Sequence, residues 1–193
     1  VKELSPNEEF ELKSSTFEVL PYVFRMQEPD DSESYYRLLG LIDTKRRYVW
    51  IERKYMTPRY PNNNNIEKYK VFITESNGAG KFGEPLSTPI IGYPGDSATP
   101  TFISIGCFDT KAEAENLLNY IKTKLCRALL GLCKKTQHNP ANNWVYIPLQ
   151  DFTEKSDIDW SVSIPEIDAQ LYKKYALSKD EIAFIEKMIK PME

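Results

Sequence analysis

The segment from Lys68 to Gly106, KYKVFITESNGAGKFGEPLSTPIIGYPGDSATPTFISIG, constrains this chain more than any other. Tyr69 to Thr74 is an apolar, β-prone run bounded by turn residues, which is a strand signature. Ser76-Asn77-Gly78-Ala79-Gly80 follows as a Gly-rich turn. Residues 81–101 carry Pro85, Pro89, Pro94 and Pro100 with Gly83, Gly92 and Gly95 and few charges, so they read as one long polar loop. Loops of this length inside a compact domain are usually functional or disordered. A second strand then leads into a capped helix. Thr110 is the N-cap and Glu113 completes a capping box. Ala114, Leu117, Leu118, Ile121, Leu125, Ala128, Leu129 and Leu132 recur at helical spacing, which predicts a single helix over about 110–135.

Upstream, a short strand is expected around Glu18 to Met26. YYRLLGLI and RYVWIERKYM are two β-prone runs separated by Asp43-Thr44-Lys45-Arg46, a hairpin signature. Strand alternation puts Tyr48 and Trp50 on one face and Val49 and Ile51 on the other. Residues 58–65, with four consecutive asparagines, read as a loop. Downstream, Trp144 to Leu149 reads as a short strand. Pro165 and Ser178 are helix start signals, and Ser178 with Glu181 forms a second capping box. The resulting expectation is an α+β chain: a mixed, mostly antiparallel twisted sheet with long loops, one long helix packed on it, and a small helical tail. The division falls at residues 1–150 and 151–193.

With 41% hydrophobic and 12% aromatic residues, the 193-residue chain can bury a proper core. Its apolar runs are too short to span a bilayer. The start, VKELSPNEEFELKSS, has neither an initiating Met nor an apolar leader, which reads as the cut edge of a longer, cytoplasmic protein. Cys107, Cys126 and Cys133 lack metal-ligand spacing and are expected as buried free thiols. The net charge of −3 conceals a strong asymmetry. Residues 1–33 hold nine acids and three bases, residues 151–193 ten acids and six bases, and residues 34–150 sixteen bases and nine acids. A basic centre between acidic ends suits a polyanionic partner.

No catalytic constellation emerges from the sequence. His138 is the only histidine, which leaves no multi-histidine metal site and no support for a Ser-His-Asp triad. Gly78-Ala79-Gly80 lacks the remainder of a phosphate-loop or dinucleotide fingerprint. Asp30, Asp43 and Lys45 follow in outline the nuclease pattern of two metal-binding acids and a lysine, but Asp43 and Lys45 fall in the expected hairpin turn. The basic run is better placed: Lys45, Arg46, Arg47, Arg53, Lys54 and Arg59 are opposed only by Glu52, and Tyr48, Trp50 and Tyr55 interleave with them. Such cations supply the phosphate contacts that dominate nucleic-acid affinity. Further polar candidates are Thr74, Ser76, Asn77 and Lys81 around the Gly-rich turn, and Lys134, Lys135 and Gln137 after the long helix. A docking domain that uses its acidic tail is a third reading.

The order of YKVFITESNGAGKFGEPLSTPIIG, TPTFISIGCFDTKAEAENLLNYIKTKLCRALLGLCKKTQ, VYIPLQDF and LYKKYALSKDEIAFIEKMIKPM resembles the C-terminal region of bacterial restriction–modification enzymes of the N6-adenine DNA methyltransferase group. The resemblance runs from Lys68 to the end and more loosely over the basic hairpin. It implies a target recognition domain, related in plan to type I specificity subunits and TaqI-like specificity domains. Such a domain reads double-stranded DNA and presents it to a methyltransferase or endonuclease domain. S-adenosylmethionine, and Mg²⁺ where the enzyme also cuts, belong to that parent enzyme. The adenine-holding Asn/Asp-Pro-Pro-Tyr/Phe motif is missing, because Asn139-Pro140 continues with Ala141. Neither a catalytic residue nor a cofactor site is therefore expected within these residues.

Overall fold

A computed structural model of the chain describes Phe17 and residues 23–56, 65–76, 81–133 and 141–192. The fold is α+β, with two mainly antiparallel sheets where the sequence suggested one. The first sheet has the order β1-β3-β2-β6, with β1 at Phe24–Arg25, β2 at Tyr35–Ile42, β3 at Lys45–Glu52 and β6 at Asp96–Ala98. The second has the order β5-β4-β7, with β4 at Tyr69–Thr74, β5 at Ile90–Gly92 and β7 at Phe102–Phe108. Among the described residues only the β2–β6 pairing is parallel. Of the strand expected at 18–26, the described residues contain β1, and residues 18–22 lie outside those described.

The β2–β3 hairpin follows from its alternation. Leu38, Val49 and Ile51 are buried on one face with Met56 and Ile66, whereas Leu39 on the other face joins Phe72 and Phe102 between the sheets. The turn is tighter than the sequence suggested, because Lys45 and Arg46 already pair with Ile42 and Leu41. Asp43 and Thr44 alone make it, at φ 50° and 62°. Two consecutive left-handed residues define a type I′ turn, whose twist matches that of the strands it joins.

Residues 81–101 are not one loop. β5 adds to β4, and β6 crosses to the other sheet to lie beside β2. Three-residue strands carry too little periodicity to be read from sequence. Gly83 sits at φ 84°, and a Cβ there would lie 2.0 Å from the Met188 carbonyl oxygen. Lys190 N–H in turn donates to the Gly83 carbonyl at 3.2 Å. Lys70, fully buried on β4, donates from Nζ to the carbonyls of Asn65 and Ile66 at 2.6 and 2.9 Å, which fastens that connection beneath the sheet.

The helix expected over 110–135 is two helices, α1 (Lys111–Lys122) and α2 (Lys124–Cys133). The apolar periodicity runs through the break, but Thr123 is extended, at φ −59° and ψ 151°. Its hydroxyl donates to the Tyr120 carbonyl at 2.7 Å and accepts from Cys126 N–H at 3.2 Å, so it ends one helix and caps the next. The buried Asp168 carboxylate accepts from Lys124 N–H at 2.8 Å and Leu125 N–H at 3.0 Å, taking two otherwise orphaned donors. Arg127, also buried, donates from Nε to the carbonyls of Lys122 and Thr123 at 3.1 and 3.2 Å.

Trp144 to Leu149 is not a strand. α3 is a single turn, Ala141–Trp144, followed by a turn in which Ile147 N–H donates to the Trp144 carbonyl at 3.0 Å. Trp144 and Ile147 are buried while Val145 and Tyr146 are exposed, a spacing of three that a two-residue alternation cannot supply. The tail forms α4 (Ile164–Lys174) and α5 (Lys179–Met188), each opened by a serine–glutamate capping box, Ser163–Glu166 and Ser178–Glu181. The largest core takes Val71, Ile73 and Ile105 from the second sheet, Leu117, Tyr120 and Leu130 from α1 and α2, and Ile167, Leu171 and Ile185 from the tail. Residues on both sides of position 150 thus share one core.

The thiols are not uniformly buried. Cys107 is exposed and Cys133 half-buried, while burial pushes the Cys126 thiol up to about 12. No helix among the described residues is long and apolar enough to cross a membrane.

Two stability changes test these contacts by chemical denaturation. Asp168→Ala orphans two amide donors and should cost about 3 kcal/mol, given roughly 1–3 kcal/mol for each buried unsatisfied group; a loss below about 1 kcal/mol would remove the cap from the account. Thr44→Gly relieves a β-branched residue in the left-handed region and should gain about 0.5–1 kcal/mol.

Candidate nucleic-acid interface

The basic run does not form a continuous patch, because β3 deals its residues to alternate faces. Lys45 and Arg47 project on the same stripe as Val49 and Ile51, opposite Ile42 and Gly40. That stripe is buried at Val49 and Ile51 and exposed at Lys45 and Arg47; the two cations lie opposite Ile42 and Gly40 at the margin of the core, two residues or roughly 7 Å apart. Neither side chain has an ion-pair or hydrogen-bond partner among the described residues.

Arg46 points the other way. Its Nη1 donates to the Thr88 carbonyl at 2.6 Å and its guanidinium lies 5.7 Å from the Phe102 ring centroid, bracing the hairpin against the 81–101 segment and the second sheet. Burial lowers its pKa from the usual arginine value. At the far end of β3, Arg53 and Lys54 lie in a 3₁₀ turn, Arg53–Tyr55. Arg53 donates to Glu67 at 3.1 Å and covers the Tyr36 ring at 4.4 Å. Lys54 is ion-paired with Glu52 and lies 4.9 Å from the Tyr55 ring centroid. These two cations are locally neutralised, and they are roughly 25 Å along the strand from Lys45.

The remaining expected contacts divide further. Thr74 spends its hydroxyl on Ser87 Oγ at 2.9 Å, facing the 81–101 segment. Ser76 is exposed at the end of the β4 side of the second sheet. Lys81 is exposed, its backbone N–H held by Glu84 at 3.2 Å. Arg59, Asn77, Lys134, Lys135, Gln137 and His138 lie outside the described residues. The basic character of the second helix is largely internal: Lys124 pairs with Glu186, and Arg127 is 4% exposed with Nη1 and Nη2 buried and unpartnered among the described residues.

Asp43 is an exposed turn residue, and Asp30 is exposed in the turn before β2. Among the described residues no three His, Cys, Asp or Glu side chains gather as a metal ion would need.

A residue outside the basic run occupies a more constrained position. Arg37, in the middle of β2, pairs in register with Asp96 of β6 and with Trp50 of β3, and Arg25 of β1 lies beyond Trp50. Its Nε donates to Asp96 Oδ1 at 2.6 Å and its Nη2 to Asp96 Oδ2 at 2.7 Å. The same Oδ2 accepts from Tyr93 N–H at 2.9 Å. The guanidinium lies 4.3 Å from the Tyr48 ring centroid and 6.0 Å from that of Tyr93. Its bonds to Asp96 raise the Arg37 pKa, and burial pushes the Tyr48 phenol upward. The available signal was an arginine inside an otherwise apolar strand run.

No protein-family model, curated protein or solved structure matches this chain.

The division between bracing and free cations gives a direct comparison. Arg46→Ala should lower the thermal midpoint by several degrees through loss of about 1–2 kcal/mol, because it removes both packing and a charged hydrogen bond. Arg47→Ala should leave stability within about 0.5 kcal/mol. Equal effects in differential scanning calorimetry would refute the assignment.

Proposed function

We propose that this chain is a sequence-specific double-stranded DNA recognition module of a restriction–modification enzyme, without catalysis of its own. The observation that carries the reading is the hairpin tip. Lys45 and Arg47 present two unneutralised cations on one stripe of the hairpin tip, which is two-stranded beyond the pairing of β1 and β6, while Arg46 between them anchors that tip to the rest of the fold. A two-stranded β-ribbon is narrow enough for the major groove, and free cations flanking it are suited to phosphates that fix register. The charge distribution agrees, since the excess of basic residues lies in the segment 34–150 that contains the ribbon.

The sequence resemblance supplies the context: a TaqI-like or type I specificity-like target recognition domain that holds DNA for adenine-N6 methylation, and for cleavage where the parent enzyme cuts. On this reading the partner is the catalytic domain of the same cytoplasmic enzyme, which carries S-adenosylmethionine and any Mg²⁺. Nothing in this chain is assigned to either.

The test is duplex binding followed by fluorescence anisotropy across a salt series. Affinity should fall linearly in log–log form, and Lys45→Ala with Arg47→Ala should reduce the slope by about 2, given roughly 0.9 per phosphate contact. Absence of salt-dependent duplex binding would sink the reading.

A further inference from the structure

A guanidinium has two usable donor edges, one formed by Nε with an Nη and the other by its two Nη groups. In Arg37, Asp96 occupies the first edge completely, through both carboxylate oxygens. Asp96 is itself fixed: it is 2% exposed, held by Tyr93 N–H, and carried on a strand hydrogen-bonded to β2. The Tyr48 ring covers one face of the guanidinium and Tyr93 flanks it. The second edge, Nη1 with the remaining N–H of Nη2, has no partner among the described residues, and the Arg37 side chain remains 32% exposed beside the exposed Tyr93. The result is a donor fork whose orientation is set before anything binds.

The chemistry of that fork narrows what it fits. Asp96 cancels most of the charge, so an isolated phosphate gains little by approaching it. A planar pair of acceptors gains the geometric match instead, and the N7 and O6 atoms of guanine in the major groove form such a pair. We propose that Arg37, held by Asp96, is a specificity-determining residue that reads one guanine of the DNA target. This inference rests on the duplex-binding reading above, and it places base readout on the hairpin face that carries Arg46 and Tyr48, opposite the face of Lys45 and Arg47.

The experiment selects a preferred duplex from a randomised pool with the unaltered chain, then replaces each guanine in turn with 7-deazaguanine, which lacks the N7 acceptor. One replacement should weaken binding by about tenfold, the scale of a single base-edge contact. The same replacement should cost Arg37→Gln nothing, and that variant should lose its preference at that base pair while keeping the salt dependence of the unaltered chain. Arg37→Lys keeps a cation against Asp96 and Tyr48 but has no second edge, so it should behave as Arg37→Gln does and carries the test if the glutamine variant fails to fold. A selected motif with no N7-sensitive guanine, or the same sensitivity in both variants, overturns the assignment of Arg37 and leaves duplex recognition standing. Failure of every duplex to bind overturns both.

Discussion

The Asp168 carboxylate at the start of α2 is the contact through which the helical half of the molecule is fastened to itself. It reaches from α4 across more than forty residues of sequence to accept two backbone N–H groups at a point where the chain has just left α1. Arg127 performs the converse service for the carbonyls that α1 leaves open. The chain can therefore turn at Thr123 without abandoning buried backbone groups, which would otherwise be costly in so apolar a setting. That turn lets α1 cover β4 and β7 while α2 packs against α4 and α5. Without it, one straight helix could not serve both layers.

A related economy governs the hairpin. Four of its cations, Arg37, Arg46, Arg53 and Lys54, lie over aromatic rings, and each also has an oxygen partner. Planar guanidinium groups stack on rings while still donating in plane, so a strand rich in arginine and tyrosine can build a stiff surface from polar side chains. Lys45 and Arg47 escape this arrangement: they are exposed at the end of the hairpin, at the margin of the core. A uniformly basic stretch of sequence is thereby sorted into cations that hold the ribbon in shape and cations that remain free to meet a partner.

Much of the local structure was legible in the residues. The Tyr69–Thr74 strand, the β2–β3 hairpin and the capping boxes at Thr110 and Ser178 rest on contacts within a few positions, and each was readable for that reason. What escaped depends on distant partners. Nothing near Thr123 announces that Asp168 will cap the next helix, and nothing near Asp96 announces an arginine 59 positions away. The short strands β5 and β6 exist only because β4 and β2 offer them edges. The site shows the same division. Alternation along β3 separates Lys45 and Arg47 from Arg46, but sequence alone could not tell which of the two faces the second sheet would cover. Arg37 stood outside the basic run altogether, and its constraint comes from an aspartate on a strand that the sequence presented as loop.

The close approach of Gly83 to the backbone of Met188 joins distant parts of the sequence. The 81–89 connection leads directly to β5 and β6, yet its own seat is formed by the end of α5. The core that contains Val71 and Ile105 likewise includes Ile185 and Ile189. The hairpin's contacts are local, whereas the connection that leads to β5 and β6 is seated at Gly83 on residues more than one hundred positions later. The strand that brings Asp96 to Arg37 is thus reached through a connection whose seat lies at the other end of the sequence.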